Sequence, residues 1–341
     1  MKRTIPFLLG ILILSGTSCK NDIDINAKWK EITVVYGLLN QNDTAQYIKI
    51  NKAYLGNGNA YQMAKIYDST NYHSNQLSVL LERWRNGSLI ENNVLQKDNS
   101  IAKPAGLFAN DSNILYKTKV PLFDDSQYLL VVKNNATGNT VRSSTTLVSD
   151  FDIINPRASN KINFALAPQQ VFKIQWNSSP NGRIYECTVR FHYTEQDIAT
   201  SKVTSYSVDW VLPNQETLGL GGGEAMEVDV LGANFYRLLA TRIAVNSSVK
   251  RSAGNLDFIF TAGGDDLNTY IAVNQPSYGI IQEKPQFTNI QNGLGIFSAR
   301  LNKTLLNLSL TSNSLDSLYG GAFTYNLGFC DPSPISPYYC N

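Results

Sequence analysis

Asp125-Ser126-Gln127-Tyr128 opens the stretch that decides the fold. It continues as Leu129-Leu130-Val131-Val132, the turn Ala136-Thr137-Gly138-Asn139, and a return from Thr140 to Val148. An acidic turn leading into an apolar, β-branched run, reversed by a Gly-containing turn, predicts an antiparallel hairpin. The same grammar extends toward the N-terminus. Ile32 to Leu39 reads as a strand closed by Asn40-Gln41-Asn42-Asp43. Tyr47 to Lys52 alternates, with Ile48, Ile50 and Lys52 on one face and Tyr47, Lys49 and Asn51 on the other. Leu77 to Trp84 is a further strand, and the Asn86-Gly87 pair after it predicts a tight hairpin, because both residues tolerate positive φ. Short, evenly spaced strands with little helical period predict packed sheets.

Tyr128, placed after an acidic turn at the start of a strand that leads into a hairpin, resembles the tyrosine corner of immunoglobulin-like sandwiches. The resemblance implies a phenol bonded back to the backbone, a ring in the core, and a first sandwich over residues 31–151. Asp152 to Arg157 reads as a linker. Beyond it, Val171 to Trp176, the turn Asn177 to Gly182 and the aromatic strand Ile184 to Tyr193 resemble the second and third strands of fibronectin type III domains. Trp176 would then be a core residue of a second β-rich domain over 157–329. Alternation puts Tyr185, Cys187, Val189, Phe191 and Tyr193 on one face. His192 falls on the other, facing solvent with no catalytic partner in view. A strand at Ser205 to Leu212, a short amphipathic helix at Asn234 to Ile243 and a strand at Asn255 to Phe260 follow. Asp265 either caps a short helix or joins Asp266 and Asn268 in offering oxygens to Ca²⁺, although the twelve-residue calcium-loop pattern is absent. Phe287 to Arg300 reads as a sharp turn feeding an edge strand. The expected fold class is therefore mainly β: two immunoglobulin/fibronectin-III-like antiparallel sandwich domains with a few short helices, and a Cys/Pro-rich tail at 330–341.

Residues 1–18 have the zones of an export signal: Lys2 and Arg3, an apolar run from Phe7 to Leu14, and the small residues Ser15-Gly16-Thr17-Ser18. The apolar run is about ten residues, half of what a spanning helix needs. The following Cys19 resembles the lipidated cysteine of a bacterial lipobox, with Gly16 in place of the usual Leu. That implies cleavage before Cys19, a lipid anchor there and a tether over 19–30; the other reading is an ordinary secreted chain with an incidental Cys19. Lys20, Asp22 and Asp24 resemble the surface-export signal of Bacteroidetes lipoproteins, which implies an outer-membrane, cell-surface location.

Composition excludes several classes. A net charge of +2 with no basic block argues against nucleic acid. The glycine loop 219–223 is followed by Glu224, Glu227 and Asp229, which would repel a phosphate, so a nucleotide site is rejected. The two histidines, His73 and His192, and the cysteines lack metal spacing, so neither a metal nor another cofactor is expected. Cys330 and Cys340 can close a small loop in an oxidising compartment, and Cys187 reads as a buried thiol.

Tyr36-Gly37-Leu38-Leu39, Asn51-Lys52-Ala53-Tyr54-Leu55 and the Asn292-Gly293-Leu294-Gly295 segment resemble outer-membrane lipoproteins of Bacteroidetes whose function is unknown and that are often found near TonB-dependent receptors. The resemblance implies a membrane partner through the lipid and an envelope protein or receptor as a second partner. It carries over no catalytic residue. Asp43-Thr44-Ala45, Asp68-Ser69-Thr70 and Asp316-Ser317-Leu318 resemble Bacteroidetes O-glycosylation sites, at Thr44, Ser69 and Ser317. A tyrosine-rich insertion, with Tyr61, Tyr67 and Tyr72, is either a contact loop or a loop packing its own aromatics over a sheet edge. The expected function is a non-catalytic binding or accessory module. A structural or adhesion lipoprotein is the alternative, and a glycan or peptide hydrolase the reading with the least support.

Overall fold

A computed structural model describes residues 31–53, 59–73, 75–103, 113–166, 171–275 and 286–340. The signal segment, Cys19 and Lys20, Asp22 and Asp24 lie outside the described residues.

Alternation sets the first strands. In β1 (Ile32–Leu39) Thr33, Val35 and Leu39 are buried, and in β2 (Gln46–Ala53) Gln46, Ile48 and Ile50 are buried. They pair antiparallel, and β2 continues to β6 (Leu115–Thr118) and then β5 (Gln96–Asp98). A second sheet has the order β4-β3-β7-β8, from β3 (Leu77–Arg85), β4 (Ser88–Val94), β7 (Gln127–Asn134) and β8 (Thr140–Thr146). Asn86 and Gly87 join β3 to β4 with φ of 50° and 76°, the double positive φ of a two-residue I′ turn. At the start of β7 the Tyr128 hydroxyl accepts the backbone N–H of Phe123 at 2.8 Å, and its ring is buried.

The rest of the chain repeats the theme. β9 (Ile153–Asn155), β10 (Val171–Asn177) and β14 (Ala225–Leu231) form one sheet. β11 (Ile184–Asp197), β12 (Val203–Val211), β13 (Gln215–Glu216), β15 (Val249–Gly263) and β16 (Gly293–Leu308) extend the sheet of β1 and β2, in the order β12-β11-β15-β16-β1-β2-β6-β5 with β13 beside β11. Between them sits an aromatic core. Trp176 packs against Tyr185 and Phe260, with centroids 5.9 and 5.6 Å away, and Phe164 touches Phe172, Trp210 and Phe235. The chain is mainly β, in several sheets, and among the described strands every pairing is antiparallel except that of β1 with β16.

That exception joins the halves. The first part of β16 runs parallel to β1, Thr33 opposite Gly293 through Leu39 opposite Ala299. Its second part pairs antiparallel with β15, Arg300 opposite Gly263 through Leu308 opposite Leu256. Gly295 adopts φ +103°, where a Cβ would collide with the Val35 carbonyl oxygen, so the parallel approach requires glycine there. Phe287 to Arg300 thus feeds a strand that changes partner along its length, pairing with β1 over Gly293–Ala299 and with β15 over Arg300–Leu308. An edge strand was expected there.

Within the expected linker, Asp152 to Arg157, the Asp152 carbonyl accepts Asn177 N at 2.9 Å and Ile153–Asn155 is strand β9; the segment just before it is pinned as well. Leu147 O accepts Asn181 Nδ2 at 3.0 Å, and Ser149 N donates to Pro180 O at 3.1 Å. Lys303 meets Asp150 at 3.0 Å, and the Phe151 ring lies against Tyr185 and Phe260.

Among the helices, α1 (Ala60–Met63) and α2 (Tyr67–Thr70) occupy the tyrosine-rich insertion. The helix expected at Asn234 to Ile243 is α3 (Gly232–Arg242). Asp265 is the first residue of α4 (Asp265–Asn274) and not its cap, which is Gly264 with no side-chain bond. The carboxylate favours the positive helix start from within the first turn and faces Arg183 at 3.6 Å. α5 (Ser312–Gly320) is capped by Thr311, whose side chain accepts Ser314 N. Cys330 and Cys340 form a disulfide, and Cys187 is a buried free thiol whose burial pushes it well above the ordinary thiol range. The tail is held by buried Arg251, which bonds Glu195 at 2.8 Å, Ala244 O at 3.0 Å and Leu327 O.

Candidate functional site

The tyrosine-rich insertion divides into an outer and an inner part. Tyr61 is 66% exposed and Tyr67 half-buried. Tyr72 is buried, its hydroxyl 2.8 Å from Thr33 Oγ1, and burial pushes its phenol above the ordinary range. Asn51 Nδ2 ties the same region down by donating to Thr70 O and Asn71 Oδ1 at 2.9 and 3.0 Å. Tyr72 is therefore a packing anchor and not a contact residue: β1 and β2 present a polar edge that its hydroxyl satisfies. Of the predicted contact set, Tyr61 alone is fully presented.

The proposed glycan acceptors differ in access. Thr44 is exposed in the β1–β2 turn, and Ser69 is half-buried in α2. Ser317 lies in α5, where its hydroxyl donates to Asn313 O at 2.8 Å and accepts Leu166 N at 3.0 Å, so both roles are filled within the protein.

On the outer face of β12, β11 and β15, His192 is partly exposed, as alternation predicts, and it has an acidic neighbour that the sequence did not show. Its Nε2 lies 2.7 Å from Asp257 Oδ2, and Asp257 Oδ1 accepts Asn307 N at 2.9 Å. Ser207 stands opposite His192 on β12, so Ser, His and Asp occupy three neighbouring strands. No hydrogen bond joins Ser207 to His192, and neither cavity described below lies at this face. A hydrolase needs a nucleophile bonded to its base and oxyanion donors around a bound carbonyl; a flat sheet face provides neither. Beside it Arg190 grips Asp209 bidentately at 2.7 and 2.8 Å and holds that carboxyl below the usual carboxylate range. Among the described residues no group of three or more His, Cys, Asp or Glu is placed to hold a metal ion.

Two cavities flank opposite ends of β8. The larger, about 530 Å³, is bounded by Glu31, Thr33, Asn139, Thr140 and Asn292. Its Glu31 carboxylate is occupied by Asn134 Nδ2 at 2.6 Å. The smaller, about 330 Å³, lies between the β3–β4 turn and the turn before β7, with Trp84, Asn86, Asp124, Gln127 and Thr146 in its wall. Sequence reading placed Trp84 on a strand and Gln127 in the turn before one, with no means of bringing them together, since only the β3–β7 register does so. At the tail, the loop closed by the disulfide displays Ile335, 95% exposed.

No family model matches the chain, and no curated protein does. Among solved structures, the C-terminal globular domain of an oligosaccharyltransferase from Pyrococcus abyssi is 9% identical at a TM-score of 0.21, over 59% of this chain and 40% of that one. The chain thus spans well under two thirds of that protein's length. A cytokine receptor complex is 8% identical at a TM-score of 0.21, over 82% of this chain and 99% of that one. Likenesses this faint carry neither fold nor chemistry across. Among the described residues no helix is long and apolar enough to cross a membrane.

Proposed function

We propose that the chain is a lipid-anchored envelope protein, held through Cys19 at the cell-surface side of an outer membrane, and that it works as a non-catalytic binding or accessory module for an envelope partner such as an outer-membrane receptor. Its scaffold is a tandem of immunoglobulin-like sandwiches. The sheet orders support this: β4-β3-β7-β8 and β9-β10-β14 are sheets separate from the long β12-β11-β15-β16-β1-β2-β6-β5 sheet, and buried residues of all three belong to one hydrophobic core. The Tyr128 corner bond supports it in the first half. In this reading residues 31–151 and 157–329 are two sandwiches that lend each other a strand.

The observation that carries the reading is β16, hydrogen-bonded to β1 and to β15. A strand shared in this way makes one stiff body from the two halves. Turns, cavities and the disulfide loop then ride on fixed positions, as a recognition scaffold requires.

The test is capture of cross-linked partners from native envelopes with the anchored chain, alongside Cys19→Ser. A discrete envelope partner is expected with the lipidated chain, and Cys19→Ser is expected to leave the membrane fraction. Cys19→Ser remaining membrane-bound would contradict the anchor. Turnover of glycan or peptide by the purified chain would contradict the non-catalytic role. A deletion strain with an adhesion or envelope defect but normal nutrient growth would favour the structural alternative.

A further inference from the structure

The smaller cavity is built from three neighbouring strands. Trp84 of β3 lies opposite Gln127 of β7, and Gln127 opposite Thr146 of β8. Residues opposite one another in adjacent strands project to the same face, so the three form a row across the sheet. The Asn86-Gly87 turn closes one side and Asp124-Asp125 another. The Trp84 indole N–H donates to Glu82 Oε2 at 2.8 Å, which fixes the ring in place.

Partnering separates the wall into two sets. Asp125 accepts the Ser126 hydroxyl at 2.6 Å and is engaged by Arg85 at 3.1 Å and Arg83 at 3.4 Å; Ser126 first, and then the arginines, hold its carboxyl below the usual range. By contrast, the side chains of Asn86, Asp124, Gln127 and Thr146 make no hydrogen bond to any described residue. Two amides, a carboxylate and a hydroxyl, all exposed and without a partner among the described residues, therefore line one site beside an indole.

The chemistry of that set selects a ligand class. Amides donate and accept, a carboxylate accepts, and a hydroxyl does both, which matches the hydroxyls of a polyol. The indole offers an apolar face for the C–H side of a sugar ring. The wall carries Asp124, Asp125 and Arg85, and Arg85 is already paired with Asp125 at 3.1 Å, so the remaining Asp124 charge disfavours phosphate, sulfate and acidic sugars. An extended peptide would add to a sheet edge, here β8 at the end of the sheet, whereas Trp84 and Gln127 sit on β3 and β7, which are each hydrogen-bonded on both sides. The volume of about 330 Å³ falls at the small end of ligand sites, which run from roughly 300 to 1,000 Å³.

We propose that this cavity binds a neutral saccharide, one or two rings at a time, with Trp84 as the stacking platform and Asn86, Asp124, Gln127 and Thr146 as hydroxyl partners. The proposal rests on the binding-module reading and names the ligand class for one of its sites. The test is calorimetric titration and saturation-transfer NMR of the full chain, in a detergent that carries no sugar headgroup. The probes are maltotriose, cellotriose, laminaritriose and chitotriose, with trigalacturonate as the anionic comparison. At least one neutral trisaccharide is expected to bind. Trp84→Ala should weaken it about tenfold or more, as loss of a stacked aromatic contact does. Asp124→Asn should weaken it several-fold with an unchanged thermal melt, and Trp84→Phe should retain part of the affinity, which separates loss of ligand from loss of fold.

Absence of binding by all four neutral probes, equal binding by Trp84→Ala, or equally tight trigalacturonate binding would each overturn the proposal. Partner capture by a chain that binds no saccharide removes the ligand and leaves the module reading standing. Release of shortened saccharides would do the reverse.

Discussion

Tyr128 shows what a single residue contributes to the first half. Its ring fills the core, and its hydroxyl accepts Phe123 N at 2.8 Å. Tyr128→Phe keeps the ring and removes the acceptor, so it should cost about 1 kcal/mol in denaturant unfolding. Asp98 is a second case. Its carboxyl is lowered to about 2, first by Lys117 at 2.8 Å and then by Ser100. A depressed carboxylate stabilises the fold above its unfolded value, near pH 4, and loses that contribution as pH falls through about 2. NMR titration should find that low midpoint, and Lys117→Ala should return it toward the ordinary range. Tyr128 was legible in the sequence because its bond partner is five residues away. The bond from His192 to Asp257 was not, since sixty-five residues separate them and a bulge between Phe191 and Tyr193 sets the offset. Tyr72 was misjudged because nothing local says that Thr33 waits for its hydroxyl.

At the scale of elements, turn chemistry was legible and long-range pairing was not. Asn86-Gly87 announces its hairpin because the constraint is on φ alone. The glycines at 293 and 295 announced a turn and a strand, but not a parallel partner two hundred and sixty residues earlier in the chain (Thr33 beside Gly293). Gly295→Ala tests that pairing. At φ +103°, with the Val35 carbonyl in the way, it should destabilise by more than roughly 1 kcal/mol, measured by urea unfolding. The tail depends on another element contact. Arg251→Leu strips Glu195 and two backbone carbonyls of their donor and should cost roughly 3–5 kcal/mol. Limited proteolysis should then release the segment around Leu327 to Cys330 before the sheets are cut. Equal resistance in variant and wild type would contradict the clamp.

At the scale of the whole molecule, the account turns on β16. Fully extended, its sixteen residues reach about 50 Å, long enough to pair with β1 along one part and β15 along the other. The pinned segment around Leu147 to Asp152 prevents the halves from swinging about the linker that the sequence suggested. Composition and strand spacing made the mainly β class legible, because alternation is local. How the two halves share a strand lay in contacts that no local pattern encodes. Hydrogen exchange of the native chain, read by peptide mass spectrometry across residues 293–308, tests this most directly. The shared strand predicts that Gly293–Ala299 and Arg300–Leu308 exchange together, at the slow rate of global opening. Fast exchange over Gly293–Ala299 beside a protected Arg300–Leu308 would contradict it, and would mean that the two halves open independently.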